Sequence, residues 1–229
     1  FDFIYYSRSQ CYNEIGDTEH AIADITKCIE LGDGKDYYAI ISRADYYREG
    51  GQYKEAIADF TKGIELDPTS AYAYYKRGWG YELSGDDDSA MKDYNTGIDV
   101  DKTYPYIFLM RGALYLKRGE KEKSNADFEE VIRQDTVAES GSCRQYALHF
   151  LGRDTEALEW MDKIIASDSM GNGVYYDKSC ANSRHSPLSI LHSSTFPHTI
   201  YGNKIDCPHQ IRNSYSSIRS FRPADPSRA

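Results

Sequence analysis

The chain has 229 residues, 40% of them hydrophobic, and a formal net charge of −9 at neutral pH. This acidity disfavours general nucleic-acid binding, which depends on Lys and Arg side chains that neutralise phosphates. No stretch approaches the roughly 18 apolar residues of a membrane span, and none resembles a signal peptide. We therefore expect no membrane insertion, no nucleic-acid partner, and a protein or peptide partner of basic or mixed charge.

Five glycines recur along the chain at intervals of 35, 34, 34 and 33 residues, which indicates one repeated structural unit. These glycines are Gly16, Gly51, Gly85, Gly119 and Gly152. Five residues after each glycine stands a small residue, namely Ala21, Ala56, Ala90, Ser124 and Ala157. Four positions after each small residue comes a large apolar residue, and four positions after that comes an isoleucine. Such offsets trace one face of a helix, so a helix is predicted after each glycine.

A second apolar stripe precedes each of the first four glycines. It ends in a tyrosine four residues before the glycine: Tyr12, Tyr47, Tyr81 and Tyr115. Three residues before each tyrosine stands a small residue: Ser9, Ala44, Gly78 and Gly112. Small side chains let two helix backbones approach closely. Each unit is therefore predicted to be a helix, a tight turn at glycine, and a second helix.

This pattern resembles the tetratricopeptide repeat (TPR) family, whose units of about 34 residues are helix–turn–helix pairs. The unit at residues 37–70 fits best, with Ala44, Gly51, Ala56, Phe60 and Pro68 in register. The other units are placed at 2–36, 71–104, 105–137 and 138–171, with a half repeat at 172–182. The resemblance implies an all-α, right-handed α-solenoid as a TPR domain over residues 1–182. The unit 138–171 is the weakest, because Gln145 and Leu148 stand where small and aromatic residues are usual.

Residues 183–229 differ abruptly from the repeats and are predicted to be an irregular tail. Five of the seven prolines fall there. The tail has six basic and two acidic residues, so the net charge of residues 1–182 is four units more negative than that of the whole chain. Three interpretations stay open: a native flexible tail, an extension that folds back on the solenoid end, and non-native sequence. Because the chain begins at Phe1 inside a helical pattern, we expect a fragment, from which a signal sequence could have been removed.

No motif in the chain indicates an enzyme, a metal site or a cofactor site. The tail carries ligand-type residues whose spacing matches no short metal motif: His185, His192, His198, Cys207 and His209. The acidic run at residues 86–88 is expected to cap a helix instead of binding calcium. His20 and His149 have no serine or cysteine at a suggestive spacing. The chain has five cysteines and no CxxC pair, and Cys11, Cys28 and Cys180 are interpreted as small buried hydrophobes, which favours a reducing, cytoplasmic compartment.

A second repeated feature pairs arginine with aspartate. Arginines precede the small first-helix position at Arg8, Arg43, Arg77, Arg111 and Arg144. Aspartates precede the large second-helix position at Asp24, Asp59, Asp93 and Asp127. Opposite charges at the same place in successive repeats predict a ladder of ion pairs, and the alternative is unpaired surface charges. Because desolvation offsets attraction in such pairs, the predicted role of the ladder is to set the packing register.

In the TPR family the first helices line the concave face, and this resemblance implies where a partner would bind. The candidate partner-binding residues are Tyr6, Tyr38, Asp45, Arg48, Tyr72, Tyr75, Trp79, Glu82, Tyr106 and Leu109. Aromatic side chains of this kind dominate many interfaces. The alternative is that several of these tyrosines pack against neighbouring helices. Some TPR proteins hold a peptide carboxylate with Lys and Asn, and that clamp is not evident here, where Tyr6, Gln10, Ile41 and Asp45 take those places.

The sequence therefore predicts a non-enzymatic scaffold that binds a peptide or a helix of another protein in an aromatic concave groove. A second hypothesis is a self-association module, because an unfinished sixth repeat would leave an open apolar end. An enzyme would require a domain lost together with the missing N-terminus.

Overall fold

The computed structural model describes residues 2–137 and 142–167, and this part of the chain forms ten helices and no strand. The helices are α1 (Asp2–Glu14), α2 (Thr18–Leu31), α3 (Tyr37–Glu49), α4 (Tyr53–Leu66), α5 (Ala71–Leu83), α6 (Asp87–Val100), α7 (Pro105–Lys117), α8 (Lys121–Gln134), α9 (Arg144–Phe150) and α10 (Asp154–Ser167). Each odd-numbered helix packs against the next even-numbered one, and each pair contacts its neighbours along the chain. This is the predicted helical solenoid.

The recurring glycines end the first helix of every pair. All five have a positive φ, between 74° and 87°, a region that glycine enters without the steric penalty of a Cβ atom. The amide after each glycine donates to a carbonyl five residues back, as Asp17 does to Tyr12 at 2.9 Å. This arrangement is a Schellman motif, which satisfies carbonyls that a helix end leaves without partners. The regular glycine spacing therefore reports a repeated helix stop.

Small residues allow the two helices of each pair to pack closely. Ser9, Ala44, Ala56 and Ala90 have no exposed surface. A Cβ atom placed on Gly78 would lie 2.6 Å from the Tyr94 ring, closer than atoms can approach. The large residues predicted to fill the core are also fully buried: Ile25, Phe60, Tyr94 and Phe128. Cys28 is buried as expected, but the same expectation is wrong for Cys11, which is exposed.

The predicted ladder of ion pairs is present in the first four repeats. The pairs are Arg8–Asp24, Arg43–Asp59, Arg77–Asp93 and Arg111–Asp127, each with two N–H groups donating to two carboxylate oxygens at 2.5 to 2.8 Å. This bidentate geometry fixes the angle between the two helices. In the fifth unit Trp160 takes the place of the aspartate, and the Arg144 guanidinium lies 4.5 Å from the centre of its indole ring.

The fifth helix pair is the least regular, as its sequence indicates. Helix α9 has only 7 residues, and Gln145 is buried at the position where a small residue was expected. Its Nε2 donates to the Ser142 carbonyl at 2.9 Å, which ties the start of the helix to the preceding loop.

The acidic run at residues 86–88 has the structural role expected of it. Asp86 caps α6, because its side chain accepts from the Ser89 amide at 3.0 Å. Asp87 and Asp88 pair with Lys117 and Arg118 of the next repeat.

Several predictions fall on residues that the structure does not describe. They are the ends of the unit 138–171, the half repeat 172–182, the tail 183–229 and the ligand-type residues His185, His192, His198, Cys207 and His209.

Candidate functional site

The first helices α1, α3, α5 and α7 form one layer and carry the candidate binding residues. Contacts run directly between successive first helices, as where the Tyr6 hydroxyl lies 3.2 Å from the Ser42 hydroxyl. We call the solvent side of this layer the first-helix surface. The structure divides the ten candidate residues into a buried group in its middle, an open group near the start of the chain, and three enclosed residues outside both groups.

The buried group is a central cluster of charged and aromatic residues. It consists of Asp45 and Arg48 on α3, and Tyr72, Tyr75, Lys76 and Trp79 on α5. The Asp45 carboxylate accepts from Arg48 Nη2 at 2.9 Å and from Lys76 Nζ at 3.0 Å. Arg48 Nη2 also donates to Glu49 at 3.3 Å. The cluster therefore joins two repeats through one shared carboxylate.

Aromatic rings enclose both cations of the central cluster. The Arg48 guanidinium lies 4.1 Å from the centre of the Trp79 ring, and only 2% of the Arg48 side chain is exposed. Lys76 Nζ lies between 5.2 and 5.8 Å from the ring centres of Tyr72, Tyr75 and Trp79. Cations at these distances are attracted by the negative faces of the rings.

The electrostatics of the cluster follow from burial and pairing. Burial disfavours the charged form of Lys76 and lowers its pKa, although Asp45 acts in the opposite direction. Burial alone would raise the pKa of Asp45, but attraction from Lys76 and Arg48 outweighs it, so the pKa is lowered. Asp45 therefore stays ionised and holds both cations in place.

The open group lies where α1 meets α3. Tyr38 is 73% exposed, and Phe3, one turn before Tyr6, is similarly exposed. These residues line an open cleft of about 350 Å³ whose wall consists of Asp2, Phe3, Tyr6, Cys28, Asp36 and Tyr38. The cleft thus combines exposed aromatic surface with two carboxylates.

The remaining candidates are Glu82 on α5 and Tyr106 and Leu109 on α7, and they are more enclosed than Tyr38. Leu109 is buried in the core that α8, α9 and α10 complete. Tyr106 packs against Tyr75, with ring centres 6.1 Å apart, and against Tyr104 at 5.7 Å. Glu82 is half-buried and accepts from the Tyr94 hydroxyl at 2.9 Å. The structure therefore does not bring these residues together with Tyr38 in one open groove.

Sequence reasoning missed Lys76 as a member of the site. Lys76 follows Tyr72 by four residues and precedes Trp79 by three, so all three share one face of α5. That spacing was the available signal.

Comparisons with known proteins agree with the repeat pattern. A family model described as "TPR repeat" matches residues 44–85, and one described as "Tetratricopeptide repeat" matches residues 4–31 and 71–104. The chain therefore contains tetratricopeptide repeats within residues 4–31 and 44–104. No curated protein sequence matches it.

Solved structures of other TPR proteins have the same fold. TTC0263, a thermophilic TPR protein of Thermus thermophilus, is 16% identical with a TM-score of 0.63, over 79% of this chain and 98% of its own. A MamA protein is 23% identical with a TM-score of 0.52, over 72% and 90%. A tetratricopeptide repeat protein from Parabacteroides merdae is 16% identical with a TM-score of 0.54, over 79% and 72%. At these identities the likeness concerns the fold alone.

Within residues 2–137 and 142–167, no group of three His, Cys, Asp or Glu side chains could hold a metal ion. None of the helices in these ranges contains an apolar stretch that could span a bilayer. His20 contacts Asp17 at 2.9 Å and His149 contacts Asp154 at 2.6 Å, so each histidine lies beside a carboxylate.

Glu82 is expected to make the stability of the helical repeats depend on pH. Burial raises its pKa, while the hydrogen bond from Tyr94 acts in the opposite direction. A carboxyl whose pKa is raised on folding binds more protons in the folded state, so stability is lost as pH rises from the ordinary glutamate value through the raised one. Glu82→Gln removes that loss and still accepts from Tyr94. In urea titrations, the free energy of unfolding of this variant minus that of the parent should increase as pH rises through that window. A difference that does not change with pH would contradict the prediction.

Proposed function

We propose that this TPR protein is a non-enzymatic scaffold that binds a peptide or helix of another protein on its first-helix surface. The observation that carries the proposal is the open cleft at the start of that surface, where Tyr38 and Phe3 expose their rings beside Tyr6. Aromatic rings supply large contact area at a low entropic cost, and they are enriched among the residues that dominate binding energy.

Charge indicates what such a partner carries. Asp2 and Asp36 flank the aromatic rings of the cleft. Asp36 also caps α3 by accepting from the Ala39 amide at 3.1 Å, so its position is fixed by the fold. A peptide with a Lys or Arg next to an apolar anchor fits this combination, because the cation meets carboxylates and ring faces while the anchor covers the rings.

The central cluster supports the cleft from the neighbouring repeats. Asp45 receives donors from both α3 and α5. This pairing fixes the helices before any partner arrives, which lowers the ordering cost of binding. We therefore assign Tyr6 and Tyr38 to direct contact with the partner, and Asp45, Arg48, Tyr72, Tyr75 and Trp79 to positioning the first-helix surface. Glu82, Tyr106 and Leu109 have the same supporting role at the far end.

Peptide selection on the whole chain tests this proposal. Phage displaying random peptides are selected against the chain, and the enriched peptides are synthesised and titrated by fluorescence anisotropy. Tyr38→Ala should weaken their binding at least tenfold, because an exposed ring provides contact area without supporting the core. Tyr53→Ala, which changes a tyrosine at the start of second helix α4, is the matched control and should leave binding unchanged.

Two results would contradict the proposal. The first is that no peptide sequence is enriched over a bare support. The second is that enriched peptides bind the Tyr38→Ala and Tyr53→Ala variants equally well.

A further inference from the structure

The open cleft between α1 and α3 has a counterpart between α5 and α7 that is filled with aromatic rings. Three rings of the cleft wall have an aromatic equivalent there, and these pairs are Phe3 and Tyr72, Tyr6 and Tyr75, and Tyr38 and Tyr106. The counterpart contains a fourth ring, that of Tyr104, whose centre lies 5.8 Å from that of Tyr75 and 5.7 Å from that of Tyr106. Tyr104 thus contacts the equivalents of two rings that face the open cleft.

The residue of the cleft that is equivalent to Tyr104 is Asp36. Asp36 immediately precedes α3, as Tyr104 immediately precedes α7. The Asp36 side chain lines the cleft, and its Oδ1 accepts from the Ala39 amide at 3.1 Å. An aspartate is too short to cover the rings as a tyrosine does, and it adds a negative charge. The cleft therefore has a carboxylate where the later repeat has a fourth ring.

The exposure of Tyr38 arises within the repeats. A complete helix pair, α1 and α2, precedes Tyr38, and the residue is still 73% exposed. Its ring packs edge-on against that of Tyr37, with centres 5.4 Å apart, and the Tyr37 hydroxyl lies 2.6 Å from the Ser70 hydroxyl. These contacts hold the Tyr38 ring in place while most of its surface stays open to a ligand.

The central cluster shows how this chain holds a cation with a ring and a carboxylate. The Arg48 guanidinium lies 4.1 Å from the centre of the Trp79 ring and donates to Asp45 at 2.9 Å. A planar guanidinium can lie flat on a ring while the N–H groups at its edge donate to a carboxylate. It is also more weakly hydrated than an ammonium group, so it loses less when it leaves water. Arginine therefore suits rings beside a carboxylate better than lysine does.

We propose that the open cleft is a binding site for an arginine side chain of the peptide partner. The guanidinium lies on the rings of Tyr6 and Tyr38, as Tyr104 lies on their equivalents between α5 and α7, and it donates to the Asp36 carboxylate. This inference rests on the proposed peptide-binding function and adds the identity of the side chain that the cleft selects.

Two-dimensional NMR of the full chain labelled with ¹⁵N tests this site with small probes. The probes are N-acetylarginine amide, N-acetyllysine amide and N-acetylcitrulline amide, and citrulline keeps the shape of arginine without its charge. The reporter is the Ala39 amide, because it donates to Asp36. The arginine probe should shift this resonance saturably, the lysine probe should bind at least threefold more weakly, and the citrulline probe should not saturate.

Two substitutions of Asp36 test the carboxylate and the open space separately. Asp36→Asn keeps an acceptor for the helix cap and removes the charge, so it should weaken binding of the arginine probe at least fivefold. Asp36→Tyr supplies the ring that Tyr104 supplies in the later repeat, and it should abolish binding. Asp86→Asn is the matched control and should leave binding unchanged, because Asp86 also caps a helix by accepting from the Ser89 amide, at 3.0 Å.

Three outcomes would overturn the arginine site. One is no saturable shift up to the solubility limit of the arginine probe. Another is equal affinity for the arginine and lysine probes, and the third is binding that responds to neither substitution of Asp36. Any of these together with enriched peptides in the phage selection would remove the arginine site and leave peptide binding intact. A selection without enriched peptides contradicts the function itself.

Discussion

Replacing Asp45 with alanine is expected to lower the free energy of unfolding by about 3–5 kcal/mol, the cost typical of removing one partner from a buried ion pair. The Asp45 carboxylate is shared by Arg48 and Lys76, whose side chains are almost entirely enclosed. Without it, Arg48 and Lys76 lose the carboxylate that they share, although Arg48 still pairs with Glu49. Their mutual repulsion adds to the cost of keeping them away from water.

Urea denaturation at neutral pH measures this effect, and the chain offers a matched control. Asp88 also pairs with an arginine, Arg118, at 2.8 Å, but its side chain is 94% exposed. Exposed pairs contribute about 0–1 kcal/mol, so Asp88→Ala should be nearly neutral. Adding Lys76→Met to Asp45→Ala should restore part of the loss, because it removes a buried cation that has lost its carboxylate partner. An Asp45 variant no less stable than the Asp88 variant would contradict the assignment.

The sequence predicts the repeated architecture well because local rules decide it. Gly16 and its four equivalents stop helices through a backbone conformation that other residues avoid, and this requirement is visible in spacing alone. The arginine–aspartate ladder was predictable for the same reason, since both partners recur at fixed positions within each repeat. Helix α9 is shorter than its equivalents, and the sequence there already departs from the pattern at Gln145.

Exposure at the candidate site was not predictable from spacing, because neighbouring side chains determine it. Tyr38 and Tyr72 occupy equivalent positions in consecutive repeats, yet Tyr38 is open to solvent and Tyr72 packs beside Lys76. Tyr72 packs against two clusters of buried residues, one containing Ile41 of α3 and one containing Ile107 of α7, whereas Tyr38 lines the open cleft. The position of a residue on its helix determines the surface on which it lies. Its burial depends on contacts with residues that are distant in the sequence.

The alternative that some groove aromatics pack against neighbouring helices matters most for Trp79. This residue is 6% exposed, lies under the Arg48 guanidinium and stacks on Tyr75 with ring centres 6.1 Å apart. Truncating a side chain of this size removes packed apolar surface and leaves a cavity. Trp79 therefore supports the first-helix surface, and its substitution should act on the fold first.

We expect Trp79→Ala to lower the free energy of unfolding by about 3–5 kcal/mol, the usual range for truncating a buried Trp or Phe. The cavity would also separate Arg48 from the ring that covers it, so repeats two and three should loosen together. Tyr38→Ala is the control within the same surface, because an exposed ring should change stability by only about 0.5 kcal/mol. Both variants are compared by urea denaturation followed by circular dichroism, alongside their affinity for peptides selected on the parent chain. A Trp79 variant that keeps parental stability but loses peptide affinity would show that this ring contacts the partner directly, and would overturn its assignment as a supporting residue.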